Sequence, residues 1–236
     1  MQIHFKPYRF AVYFTPSMGS DWWHAGNQWL ARCLKTNTSL NPIDIPNLNS
    51  SDFFTHTADP RRYGWHATLK APFRLQPQFS MIELINAMHL IANDFEAFDL
   101  PPLLLTDKEG FISLRPSGNL TMINSIAEAC VTRLHQFAEP LSEAELARRR
   151  MTPLSQEQDR LLMTWGYPWV LDEFRFHFSL TGPTDKMEAH VRDKFLMAAN
   201  DHFGSLPACT FDCLSLFIEP TKGSHFQLVE QVRLMG

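Results

Sequence analysis

The sequence is short of charge, of cysteine and of long apolar runs, and each shortage removes a class of protein. Charged residues are 19% of the 236 positions and the formal net charge is −4. No global basic field therefore exists to hold a long nucleic acid by its phosphates. The four cysteines, Cys33, Cys130, Cys209 and Cys213, include no C-x-x-C pair, so they read as reduced thiols with no redox or metal role. No stretch approaches the roughly 18 apolar residues a membrane helix needs, and Met1 to Pro7 lacks the apolar segment of a secretory leader. A cytoplasmic protein with no membrane partner is expected. Absent as well are G-x-x-x-x-G-K-[S/T], G-x-G-x-x-G, G-x-S-x-G and H-E-x-x-H. With them go the simple nucleotide cradles, the serine-hydrolase elbow and the helical zinc site. Neither a metal nor a cofactor is expected.

What the chain does contain is apolar and aromatic. Hydrophobic residues are 44%, with 19 Phe and 6 Trp, enough for a globular chain with a substantial core. Two stretches carry unusual chemistry. In Phe174-Arg175-Phe176-His177-Phe178-Ser179-Leu180-Thr181 the apolar residues share one face of a strand, and Arg175, His177, Ser179 and Thr181 share the other. In Trp65-His66-Ala67-Thr68-Leu69-Lys70-Ala71 the same alternation sets His66, Thr68 and Lys70 together. Such polar faces are costly to bury unless something anionic or hydrogen-bonding lies against them.

The elements around these strands repeat. A first strand is expected over Tyr8 to Thr15, then a helix over Trp22 to Leu34 and a loop over Asn41 to Pro60. The first histidine strand is followed by a helix from Ser80 to near Phe98. A hairpin of Leu103 to Thr106 and Phe111 to Arg115 comes next. The second is followed by a helix from about Asp185 to His202 capped by Thr184, and a hairpin of Thr210 to Ile218 and His225 to Leu234. Between them lie a helix over Leu120 to Phe137 and a polar helical excursion over Leu141 to Trp165, broken at Pro153. Arg148 to Arg150 within it read as a solvated face. The expectation is an α+β, bilobal, pseudo-duplicated fold, one domain over 1–236. Two antiparallel sheets flank a central cleft with helices outside. The histidine lobes centre on 61–116 and 172–236, with a helical connection over about 119–166.

The tripeptide H-x-[S/T] is weak evidence by itself, because ten histidines yield about one by chance. Placement raises its weight. Each occurrence reads as mid-strand on a polar face, and the same elements follow each. An imidazole and a hydroxyl two residues apart lie about 7 Å apart along a strand. The ring can move a proton while the hydroxyl donates to a phosphate oxygen. An imidazole near pKa 6.5 suits either proton role at neutral pH. Two of them on opposite sides of one phosphorus serve as base and acid for in-line displacement without a metal.

Arg62-Tyr63-Gly64-Trp65-His66-Ala67-Thr68-Leu69-Lys70-Ala71-Pro72-Phe73 and Phe174 to Gly182 resemble the paired signatures of the two-histidine (2H) phosphoesterase superfamily. More closely they resemble its branch found beside phosphonate-utilisation genes. The resemblance extends over most of the chain, the Trp165-Gly166-Tyr167-Pro168 turn included. It implies a bilobal α+β fold and metal-independent cleavage or ligation of phosphoesters, often 2′,3′-cyclic phosphates or 2′-5′ linkages. By the match His66 and His177 are catalytic and Thr68 and Ser179 bind phosphate; the second motif has Ser where Thr is commoner. Lys70, Arg175, Arg62, Tyr63, Tyr167 and Thr181 are substrate-binding candidates. The other eight histidines, His4 among them, read as structural.

The leading expectation is a phosphodiesterase for a small cyclic or ribose-linked phosphoester or nucleotide, in phosphonate metabolism. The alternatives are a non-catalytic binding module for RNA ends or nucleotides, and a 2′-5′ RNA ligase or end-processing enzyme acting on a short RNA end. The chain's acidity and its lack of an extended basic stripe disfavour the ligase.

Overall fold

β1 (Arg9–Phe14) is buried along nearly its whole length, as suits a strand flanked on both edges. This computed structural model describes residues 6–235, so His4 and the leader reading over the first five residues lie outside the described residues. Ser20 caps α1 (Asp21–Trp29) by accepting from the Trp23 amide at 3.1 Å. α1 stops short of the expected Leu34, because Ala31 takes a positive φ of 48° and the chain turns into the small ribbon of β2 (Arg32–Cys33) and β3 (Thr38–Ser39).

The expected loop over Asn41 to Pro60 is half helix. Asn49 caps α2 (Ser50–Tyr63) through the Asp52 amide at 2.8 Å, and Phe53, Thr57 and Pro60 bury a single stripe. Of the turn-forming residues that suggested a loop, Asn49 is its cap, Ser50, Ser51 and Asp52 form its first turn, and Thr57 and Pro60 join its buried stripe. β4 (Ala67–Phe73) follows, then α3 (Met81–Ala92) with the Ser80–Glu83 capping box. Next come β5 (Phe98–Asp99) and the hairpin of β6 (Leu103–Lys108) and β7 (Phe111–Pro116).

α4 (Thr121–Arg133) precedes the excursion, which is two capped helices, α5 (Glu143–Arg149) and α6 (Gln156–Trp165). β8 is only Phe178–Ser179. α7 (Ala189–Phe203) starts after Glu188 and not at the expected Thr184, whose amide instead bonds the Gly110 carbonyl at 2.7 Å. β9 (Thr210–Phe211), β10 (Cys213–Glu219) and β11 (Gln227–Arg233) complete the chain.

The fold is α+β with a large antiparallel sheet, and the order strand, helix, hairpin does recur after each histidine. The two expected sheets are halves of one seven-stranded sheet, β11-β10-β1-β4-β8-β7-β6. They join through the single pair Ala67–Phe178. The hairpins are exchanged: β6–β7, which follows the first histidine, packs beside β8, while β10–β11 packs beside β1, on the side of the sheet that holds β4. Each spatial half therefore draws on both expected lobes, 61–116 and 172–236. The short strands β5 and β9, equivalent in the two repeats, pair with each other. One apolar core runs through both halves, and a small satellite of Val131, Leu161 and Val170 lies under the excursion. Among the described residues the four cysteines are free, three of them buried. No helix there is long and apolar enough to cross a membrane.

Candidate active site

The first histidine is set by what ends α2. Arg32, 2% exposed, donates from Nη1 to the carbonyls of Arg61 and Arg62 at 2.9 and 3.1 Å and thereby closes the helix C-terminus. Gly64 then takes φ 84° and ψ 178°, backbone open essentially to glycine alone. Its carbonyl accepts from His66 Nδ1 at 2.8 Å. Trp65 stacks on Phe178 at 4.6 Å and lies so close to α1 that a Cβ on Gly26 would stand 2.1 Å from its ring. Helix end, glycine turn and tryptophan anchor together aim the His66 ring.

The second histidine repeats the arrangement. His177 Nδ1 donates to the carbonyl two residues earlier, that of Arg175, also at 2.8 Å. Both histidines lie one residue before their strands, not mid-strand as the alternation suggested. A carbonyl only accepts, so both neutral rings carry their proton on Nδ1 and turn Nε2 outward. The antiparallel pair Ala67–Phe178, continued one residue in each direction, sets His66 across from Ser179 and Thr68 across from His177. Side chains one step from a pair lie on the opposite face from it, so these four project together.

All four line one open cleft of about 1140 Å³. Among the described residues neither the Thr68 nor the Ser179 hydroxyl is engaged by a protein partner, so both are available to a ligand. Burial lowers the His66 pKa to about 4, against the opposing effect of the Gly64 carbonyl and with some help from His177. Burial also lowers that of His177, where Arg115 adds to the effect and the Glu109 carboxylate opposes it. Both rings are therefore neutral near pH 7.

Of the other candidates, Tyr63, Tyr167 and Thr181 line the cleft. The Thr181 hydroxyl is engaged with backbone, accepting from Ile112 N and donating to the Gly182 carbonyl. Lys70 does not reach the cleft. Between Tyr13–Thr68 and Val12–Lys70 the strand β4 gains a residue, a bulge that reverses the alternation. Lys70 is thereby turned to the far side, where it is 4% exposed and donates to the Val131 carbonyl at 3.2 Å. Burial brings its pKa down to about 8. Arg62 is outside as well, its guanidinium held by the buried Glu219 carboxylate. Arg175 is exposed and folds back on the Asp172 and Phe174 carbonyls, since the chain has not yet entered β8.

The sequence reading missed several cleft residues. The Tyr13 ring lies 4.0 Å from that of His66, and Phe111 lies 5.1 Å from His177. Arg9, Arg148, Arg149 and Glu109 also line the cleft, although Arg148 and Arg149 had read as a solvated face. Only the alternation of β1 signalled Tyr13; nothing in the spacing of the arginines marked them. Among the described residues no group of three or more His, Cys, Asp or Glu side chains is placed to hold a metal ion.

Two curated relatives carry the name ribose 1,5-bisphosphate phosphokinase PhnN. That of Janthinobacterium sp. (strain Marseille) is 34% identical over 231 residues, 97% of this chain and 51% of the relative. That of Laribacter hongkongensis (strain HLHK9) is 33% identical over 227 residues, 96% of this chain and 52% of the relative. The chain thus spans about half the length of these relatives. Among solved structures, E. coli LigT complexed with 3′-AMP is 12% identical with a TM-score of 0.42, covering 98% of this chain and all of that one. A crystal structure titled phosphoesterase is 9% identical with a TM-score of 0.41, again covering 98% of this chain and 100% of the other. Residues 68–227, which take in both hydroxyls and the second histidine, match the family described as "Protein of unknown function (DUF1045)", and the chain belongs to that family.

Proposed function

We propose that the protein is a metal-independent phosphoesterase of the two-histidine type that hydrolyses a small cyclic or ribose-linked phosphodiester. The observation that carries this reading is the register at Ala67–Phe178, which gives two imidazoles and two free hydroxyls a common face in one cleft. The matched Nδ1–carbonyl bonds add to it, because they leave Nε2 of each ring to exchange protons with a ligand.

In this mechanism a phosphoryl group sits between the rings, with the Thr68 and Ser179 hydroxyls donating to its non-bridging oxygens. His66, kept neutral by burial, is the base: its Nε2 takes a proton from water as the water oxygen bonds to phosphorus. His177, whose proton affinity the Arg175 carbonyl and the Glu109 carboxylate raise against the burial, is the acid once it has taken up a second proton, at Nε2, in the acidic range. It gives its Nε2 proton to the ester oxygen as the P–O bond breaks. Exchange with solvent restores both rings.

The name of the curated relatives, that of an enzyme of ribose 1,5-bisphosphate, supports a ribose phosphate as the substrate class. The paired-motif resemblance points to phosphonate metabolism as the setting. The test is a panel of cyclic mononucleotides, ribose cyclic phosphates and 2′-5′ dinucleotides, offered in EDTA to the wild type and to a His66→Ala/His177→Ala double variant. Turnover by the wild type alone supports the reading. Equal turnover by the double variant, or none by either protein, ends it.

A further inference from the structure

The cleft is larger than the chemistry at its centre requires. A volume of about 1140 Å³ lies a little above the usual range of small-molecule sites, and charges of both signs line it. Asp59, Glu109, Asp185 and Lys186 line it, as do Arg9, Arg148 and Arg149; the Glu109 charge acts on His177, and the Arg149 guanidinium lies over the Tyr167 ring. The arginine group is a true cluster. The charges of Arg148, Arg9 and, more weakly, Glu145 act on Arg149, and Tyr63 lies within electrostatic reach of Arg9. Tyr63 in turn lies 5.8 Å from the His66 ring.

Two of these arginines lack partners in a region where partners are otherwise supplied. On α5 and just beyond it, Glu145 is paired with Arg74, and Arg150 makes a two-pronged pair with Asp159. Among the described residues neither Arg148 nor Arg149 has a carboxylate within ion-pairing distance. The Arg149 Nε is buried with no hydrogen-bond partner at all, and its guanidinium lies 5.2 Å over the Tyr167 ring. A buried, unsatisfied donor on a guanidinium is costly unless a ligand completes it. Stacking on an aromatic ring fixes the plane of the fork, as two-pronged phosphate recognition requires.

We infer that Arg148 and Arg149, backed by Arg9, form a second anion subsite that holds a terminal phosphate of the substrate, away from the phosphoester placed between His66 and His177. The inference rests on the phosphoesterase reading for its geometry and narrows the substrate to a phosphodiester that also carries a phosphomonoester.

The experiment compares a nucleoside 2′,3′-cyclic phosphate with the same compound bearing a 5′-phosphate, against wild type, Arg148→Gln/Arg149→Gln, Arg149→Lys and the control Arg150→Gln. The wild type is expected to prefer the 5′-phosphorylated compound by about 10- to 100-fold in kcat/KM, chiefly through KM. The double glutamine variant brings that ratio close to one, Arg149→Lys gives an intermediate ratio, and Arg150→Gln keeps it. A wild type without the preference, or a double variant that retains it, overturns the subsite. If the wild type hydrolyses neither compound, the phosphoesterase reading fails separately, and calorimetric binding of the same two compounds decides the subsite. Tighter binding of the 5′-phosphorylated one, lost in the double variant, supports it; equal affinities reject it.

Discussion

Ala67 and Phe178 are paired across the sheet, and each directly follows a histidine. Through this one pair the two halves of the sheet become continuous, so the seam of the repeat is also the floor of the cleft. A slip of one residue there would carry an imidazole and its hydroxyl to the opposite face. The Trp65–Phe178 stack at 4.6 Å and the Gly26 helix beneath it hold the register where only a short run of backbone pairing does.

In the proposed mechanism the four residues projecting from this seam divide into proton carriers and phosphate donors, and their replacement separates the two. His66→Ala and His177→Ala are each expected to lower kcat by about 10³-fold with little change in KM, in the range usual for a lost general acid or base. Thr68→Ala and Ser179→Ala are expected to lower kcat/KM by about 10- to 100-fold, the worth of one hydrogen bond to a charged oxygen. Steady-state kinetics on a cyclic phosphate checks both. Hydroxyl variants as damaging as histidine variants would contradict the division.

Gly64 gives a sharper test of how His66 is aimed. With φ at 84° and ψ at 178°, alanine there is strained by about 1–3 kcal/mol, and its Cβ would stand 2.1 Å from Leu34 Cδ2. Gly64→Ala should lower Tm by roughly 3–10 °C and cut kcat by more than tenfold with KM nearly constant. The carbonyl that holds the His66 Nδ1 proton must also move, so ¹⁵N spectra should show a mixture of tautomers in place of one. Loss of stability with the single tautomer retained would mean that the glycine shapes the fold and not the ring.

Much of this site was legible in the sequence for one reason: alternation is a short-range property. His66 with Thr68, and His177 with Ser179, needed only an unbroken two-residue period, and there the period holds. It failed one turn of the pattern later, at Lys70, because the bulge in β4 is imposed by its partner β1, more than fifty residues away. Asn49 to Pro60, within the expected loop, belongs to a helix that takes its support from burial of Phe53, Thr57 and Pro60 and not from propensity. Arg148 and Arg149 were missed because the face a polar helix turns inward is decided by the surface it docks on. Exchange of the hairpins was hidden too, since element order does not state which neighbour a strand will find.

Burial of the two rings predicts an acidic working range. The proposed mechanism needs His66 neutral and His177 protonated, so kcat/KM should rise through about pH 4 and fall at a pKa below 6.5. Glu109 raises the His177 pKa, so Glu109→Gln moves the falling limb to lower pH, and the Arg115 it releases acts in the same direction. Stability follows the same sign. The folded His66 pKa lies below that of an unfolded histidine, so the unfolded chain binds the extra proton. Its contribution is complete above about pH 6.5 and is lost as pH falls to about 4. After allowance for solvent in the cleft, this amounts to about 1–2 kcal/mol. Urea titrations at pH 7 and pH 4.5 should show that loss in the wild type, reduced in a His66→Gln variant.

Lys70 carries the last expectation, and it runs against the sequence pattern. Its ammonium is buried behind the sheet with one carbonyl acceptor and a pKa near 8, against 10.5 in an unfolded chain. At pH 7 the fold therefore holds a desolvated charge that costs about 3 kcal/mol, of which the lost hydrogen bond would return about 1. Lys70→Met should be more stable than the wild type by about 2 kcal/mol at pH 7. That margin should shrink as pH rises from 8 to 10.5, where the wild-type lysine loses its charge in both states. Activity on any cyclic phosphate should be unchanged, because the side chain does not enter the cleft. A tenfold fall in kcat/KM with stability intact would put the ammonium on the substrate face, which requires that the bulge between Thr68 and Lys70 be absent from the working protein.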